Sequence, residues 1–278
     1  MSDFFLQKES ESNLFGKNYS LSILLQKDKL SFLIVEDKLK EIVSYQSFSF
    51  HAEHDSEDYC FEIKKILKKT SVFSLDYAKT RILIDSYNTT VVPEALYKEE
   101  ETQNLFNLNF DIFEEKILCN KISNLSIYNC YSIPFCLHEL LTSFFEKASL
   151  HSSSTPILQN LSQENKASNI ILYFSKRHFD IFYFKDKKLQ MTNNFFFKTK
   201  EDLLYYLLLA FEQLELSPKE QEVTILGDIN PKDIEFDFLQ DFFEKIQFSN
   251  QKIYNTDLLK EKVAPHFYHN LLSVLQCE

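Results

Sequence analysis

Two short basic turns stand out among the residues able to do chemistry. One is Lys27-Asp28-Lys29 and the other is Lys176-Arg177-His178, and each joins two largely apolar stretches. Cationic tips of this kind hold an anion electrostatically. Ordinary solvated turns have the same composition, and that reading is favoured. Gly227-Asp228 follows the apolar run VTIL. A glycine there lets backbone approach a ligand, or simply makes a tight strand-to-helix turn, and the turn is favoured. His51-x-x-His54 with Asp55, Glu57 and Asp58 has the side chains of a metal site. An acidic loop before a helix N-terminus accounts for it more simply. His266 and His269 are expected near one another on a helix surface, without a third ligand. Lys64, Lys65, Lys68 and Lys69 gather at a helix end, where positive charge suits the dipole. No serine–histidine–acid set can be singled out, because such triads are recognised by geometry rather than spacing.

The glycine count excludes more than these motifs suggest. The 278 residues include two glycines, Gly16 and Gly227. A phosphate loop of the form G-x-x-x-x-G-K-S/T and a dinucleotide turn of the form G-x-G-x-x-G both need glycines at close, fixed offsets. The G-x-S-x-G nucleophile elbow fails for the same reason. Net charge is −11, which disfavours nucleic acid as a partner. Five cysteines, Cys60, Cys119, Cys130, Cys136 and Cys277, are odd in number and form no C-x-x-C. They are expected to be reduced thiols in a cytoplasmic protein, with Cys119, Cys130 and Cys136 buried in apolar surroundings. The first residues show no basic segment followed by an apolar one, and no apolar run reaches the length of a membrane span.

The elements that must position these residues occur twice. Strands are expected over 19–26, 29–36 and 42–50, followed by a helix over 57–69 and a buried strand, RILID, over 81–85. The second half repeats the order. Strands over 169–175, 179–185 and 189–197 precede a helix that begins at Thr199, with Asp202 three residues on as in a capping box. Leu203, Leu204, Leu207, Leu208, Phe211 and Leu214 form its stripe. The strand VTIL follows, then a helix expected to open with Asn230 and Pro231 at N-cap and N1. Phe195-Phe196-Phe197 is expected to send alternate rings into the core. A helix is expected over 134–148 and a last one over 265–275. The predicted organisation is a flexible arm at 1–18, lobe I at 19–149, a polar linker at 150–167 and lobe II at 168–278.

Two lobes, each a three-stranded meander followed by helix and strand, resemble the superfamily of actin, the sugar kinases and the chaperone ATPases. The resemblance implies an α/β fold: two similar lobes in an actin-like ATPase arrangement, each a mixed sheet flanked by helices. It also implies a nucleotide site between the lobes, with its phosphates held by the first hairpin of each. A narrower resemblance rests on Val91-Val92-Pro93-Glu94-Ala95-Leu96-Tyr97 with Lys98-Glu99-Glu100-Glu101, on Asn193-Asn194-Phe195, and on the final Cys277-Glu278. These look like an uncharacterised family of Bacteroidetes proteins, domain of unknown function 3822, whose implied fold is ribonuclease H-like and actin-like and whose activity is not established.

The sequence departs from the ATPase pattern where the chemistry would be. Working members carry roughly D-x-G in each first hairpin. The corresponding turns here, Gln26-Lys27-Asp28-Lys29 and Ser175-Lys176-Arg177-His178, contain no glycine. Side chains then crowd the amides that would hold phosphate. Of the acids that would hold Mg²⁺, Asp28 alone is near its place. A non-catalytic protein that binds another macromolecule, most simply a protein, is therefore expected, with neither ATP nor Mg²⁺ as cofactor. The alternative is a diverged ATP-binding ATPase or kinase using Lys27, Asp28, Lys29, Lys176, Arg177, His178, Gly227 and Asp228 around the cleft. A third reading is association with RNA, which salt would weaken steeply.

Overall fold

The computed structural model describes residues 4–7, 16–52, 56–160, 168–176, 178–250, 253–259 and 262–277. The chain opens with β1 (Phe4–Gln7), β2 (Gly16–Leu25), β3 (Lys29–Glu36) and β4 (Glu41–Ser49). Helix α1 (Ser56–Lys69) then leads into β5 (Tyr77–Ile84). Strands β2, β3 and β4 form an antiparallel meander, and β5 returns parallel to β2. Strand β3 is buried along almost its whole length, because both faces of the sheet are covered. Alternate residues sort between the two faces. Leu30, Phe32 and Ile34 join the core beneath α1, while Leu33 and Val35 face the opposite side.

A small sheet is inserted after β5. It comprises β6 (Thr89–Pro93), then, beyond the short α2 (Thr102–Asn107), β7 (Glu115–Ile122) and β8 (Ile127–Pro134), in the order β6-β8-β7. Helix α3 (Phe135–Phe144) follows and packs with α1. Strand β9 (Ser149–Ser152) pairs parallel with β5, and α4 (Thr155–Asn160) ends the half.

The second half supplies β10 (Ser168–Phe174), β11 (His178–Lys185), β12 (Lys188–Phe196), α5 (Lys200–Gln213), β13 (Glu222–Gly227), α6 (Ile234–Gln240), β14 (Lys245–Phe248) and α7 (Pro265–Ser273). Its sheet order is β12-β11-β10-β13-β14. The first sheet reads β4-β3-β2-β5-β9, with β1 added at the edge. The expected duplication is therefore present strand for strand. The Thr199–Asp202 capping box forms at the start of α5. Phe195 and Phe197 pack on the second core while Phe196 is half-exposed.

Several expectations need correction. Phe4–Gln7, expected in a loose arm, pairs with β4. Residues 149–160, expected largely as linker, form β9 and α4, and Ser152, Ser153, Ser154 and Thr155 are each no more than 2% exposed. The hydroxyls of Ser153, Ser154 and Thr155 are satisfied by Asp85, Asn129 and Asn120, and that of Ser152 by Ser154. Ile157 and Leu158 of α4 pack against the second sheet. Helix α7, expected within lobe II, runs beside β13 of that lobe and also lays Leu271 and Leu272 on the first sheet. Two helices thus cross between the lobes in opposite senses. His266 and His269, expected on a helix surface, are buried for that reason. His266 Nε2 donates to the Ile229 carbonyl at 2.9 Å, and His269 Nδ1 lies 2.8 Å from Ser249 Oγ.

Helix α6 begins at Ile234 with Asp233 as its N-cap, rather than at Pro231. Asp233 draws the upstream turn in by accepting from the Asn230 amide at 2.7 Å. The cysteines are also paired where free thiols were expected. Cys60 bonds Cys136, tying α1 to α3, and Cys119 bonds Cys130 across β7 and β8. Cys277 is free and buried. The inference of a reducing compartment from unpaired cysteines loses its basis with this pairing. Among the described residues, no helix is long and apolar enough to cross a membrane.

Candidate functional site at the lobe junction

The two meander hairpins meet at the junction of the lobes. The first is closed by Gln26 N donating to Lys29 O at 2.8 Å, and the second by Ser175 N donating to His178 O at 2.9 Å. At each tip, a lysine is already engaged by the opposite lobe. Lys176 pairs with Asp28, and Lys29 pairs with Asp228. Gln26 Nε2 donates to Asp228 Oδ2 at 3.2 Å. Lys27 is exposed and borders the other side of the junction, beside His51 and Phe196. Arg177 lies outside the described residues, as do His54 and Asp55. Among the described residues, no group of three His, Cys, Asp or Glu side chains could hold a metal.

Gly227 ends β13 with φ of +88°, and a Cβ built there would lie 2.1 Å from the Phe174 carbonyl oxygen. The next amide, that of Asp228, donates to the same oxygen at 2.8 Å. Close approach of β13 to β10 therefore accounts for the glycine without a ligand.

The sequence reading missed the acid at the matching position in the first lobe. Asp85 follows β5 as Asp228 follows β13, and its amide donates to Leu25 O at 2.9 Å. Its side chain is 1% exposed. Ser175 Oγ donates to Oδ2 at 2.6 Å, Ser153 Oγ donates to Oδ1 at 3.1 Å, and His178 Nε2 forms a longer ion pair with Oδ1 at 3.5 Å. The arrangement is reciprocal. Gln26 and Lys29 of the first hairpin hold Asp228, and Ser175 and His178 of the second hold Asp85. A sequence signal existed, since RILID and VTILGD each end a buried strand with an aspartate.

Asp180, two residues into β11, lies beside this cluster and is 3% exposed. Burial raises the Asp85 carboxyl, but the charge of His178 and the hydrogen bonds from Ser175 and Ser153 outweigh it, so Asp85 titrates below the ordinary value. Burial lowers the His178 imidazole, but the adjacent Asp85 charge, with Asp180 behind it, lifts it to about 9. Asp180 is raised to about 7 by burial, against the attraction of His178 and with the repulsion of Asp85.

A cleft of about 380 Å³ opens over the tip ion pairs. Asp28, Asp228, Asp233 and Glu235 line it against Lys29 and Lys176. Four carboxylates against two ammonium groups leave it short of positive charge, and both ammonium groups are already paired.

Comparison with known proteins places this architecture. The chain is similar to a protein from Bacteroides thetaiotaomicron VPI-5482 with an actin-like ATPase fold and unknown function. The TM-score is 0.76 at 24% identity, covering 94% of this chain and 97% of that one. It is also similar to a chain of the PilM-PilN type IV pilus biogenesis complex, with a TM-score of 0.54 at 13% identity, covering 92% of this chain and 98% of that one. At these identities the likeness is one of fold. No curated protein matches. Residues 10–246 match the family described as Protein of unknown function (DUF3822). With its duplicated sheets and two crossing helices, this chain has the actin-like ATPase fold and belongs to the DUF3822 family.

Proposed function

We propose that this protein is a non-catalytic member of the actin-like fold that works by binding another protein, with no nucleotide or Mg²⁺ cofactor. The observation that carries this reading is the self-neutralised junction. The hairpins that the fold resemblance assigns to phosphate are occupied by Lys29–Asp228 and Lys176–Asp28. A triphosphate entering the cleft would break both pairs and meet a surplus of carboxylates. The turns also lack the glycines whose amides would replace the lost cations. The similarity to a chain solved in the PilM-PilN complex supports use of this fold for holding proteins.

Thermal unfolding with and without Mg·ATP, ADP and a non-hydrolysable analogue tests the reading. A ligand at about 100 times its Kd stabilises by roughly 2.7 kcal/mol, which for a chain of this size moves Tm by about 5–10 °C. No shift at millimolar nucleotide is the expected result. A clear Mg-dependent shift would overturn the proposal in favour of a diverged ATP-binding enzyme.

A further inference from the structure

A second polar cavity, of about 280 Å³, lies between the small inserted sheet and the second lobe. Strand β11 explains its floor. Phe179, Ile181 and Tyr183 face the second core, while Phe182 and Phe184 face the junction with α4. By the same alternation, Asp180 faces the junction. Its Oδ1 is sealed from solvent and has no hydrogen-bond partner. Nearby, His178 is committed to Asp85, so the cluster contains one acid more than it has bases. An isolated buried carboxylate is costly unless a donor or cation meets it.

The walls match that requirement. Rings of Tyr87, Phe110 and Phe182 line the cavity. Thr90, Thr192 and Asn109 add hydroxyl and amide groups that make no side-chain hydrogen bond within the described residues. Asn109 and Asn193 at the rim are exposed, so the cavity opens to solvent. No Lys, Arg or His side chain among the described residues lines it, and the nearby His178 charge is shared between Asp180 and Asp85. Aromatic faces attract a cation. A planar guanidinium has five donors with which to meet a carboxylate and several neutral acceptors together.

We infer that this cavity is a receptor for a guanidinium group, the arginine side chain of a protein partner, anchored on Asp180. The source of that arginine rests on the partner-binding reading above. A net charge of −11 favours approach of a basic segment. An arginine seated in a desolvated pocket against a buried acid is also a common form of interface anchor.

The test is calorimetric titration of the full chain with Nα-acetyl-arginine methylamide. The citrulline analogue, a neutral isostere, and glucose serve as comparisons. Saturable one-site binding is expected for the arginine probe, at least tenfold weaker binding for citrulline, and none for glucose. Asp180→Asn should weaken the arginine probe at least tenfold. Should that variant fail to fold, Thr192→Val at the cavity wall decides the matter, with at least threefold weakening expected. Equal binding of arginine and citrulline, binding of glucose in place of arginine, or unchanged affinity in the variants would overturn the inference. The nucleotide melting test is independent. Arginine binding together with a Mg·ATP shift would keep the pocket and remove the partner-binding reading. Failure of the arginine probe without a nucleotide shift would do the reverse.

Discussion

Asp180, His178 and Asp85 give the protein a pH dependence whose sign follows from their burial. Asp180 titrates at an ordinary 3.8 when unfolded and at about 7 when folded. The folded chain therefore holds an extra proton between those values, and stability falls as pH rises across them. The His178 contribution is complete below its ordinary 6.5 and is lost as pH rises through about 9. Asp85, shifted downward, contributes above 3.8 and loses that contribution at lower pH. The phenols facing Asp180, Tyr87 and Tyr173, are both raised by burial above their ordinary value. Asp180→Asn should accordingly flatten the decline in Tm between about pH 4 and 7 while leaving the alkaline decline in place. A melting series from about pH 4 to 10 measures both, and an unchanged acid limb would remove Asp180 from the account. Little of this cluster was legible beforehand. Asp28, Lys29, Lys176 and Asp228 could be picked out as charged residues in turns. Asp85 follows an apolar strand and Asp180 sits inside one, and only the meeting of the two lobes gives Asp85 its partners.

At the scale of elements, most strands and helices were readable, β3 with both faces buried among them, but which sheet a helix covers was not. Helix α5 shows a clear stripe, with Leu203, Leu207 and Phe211 buried and its polar face in water. Helix α7 is different. Every residue from Tyr268 through Ser273 is buried, so no amphipathic period assigns it to one sheet. Strand β9 and the turn after it are misread for a related reason. Serine-rich composition usually marks a loop, yet here the hydroxyls satisfy buried carboxylate and amide groups. Because α7 holds the first sheet from the far end of the chain, Leu271→Ala should cost about 2–4 kcal/mol. Chemical denaturation measures it. A loss near that of a surface substitution, within about 0.5 kcal/mol, would show that α7 is not part of the first core.

For the whole molecule, the duplicated strand order carried the fold, and the joining of the two lobes had to be seen. The two halves share a backbone plan with few shared residues, so their equivalence was visible in hydrophobic pattern. The cross-lobe pairs depend on residues far apart in sequence, such as Lys29 with Asp228, which local spacing does not encode. Reversing that pair tests the joint. Lys29→Glu and Asp228→Lys should each destabilise alone, and the double variant should recover about 0.5–1 kcal/mol relative to their sum, as suits a partly exposed pair. Strict additivity in a denaturation cycle would remove the contact from the joint.

The reciprocal hold of Asp85 and Asp228 has the logic of an isologous interface, in which one surface serves as both donor and acceptor. Each lobe presents a strand-end acid and a hairpin that grasps the other lobe's acid. Two copies of a single lobe bearing both features would satisfy each other about a two-fold axis. Fusion into one chain replaces an encounter between subunits with a tethered one, at an effective concentration set by the connection. The halves are then free to differ at every position except those where they meet.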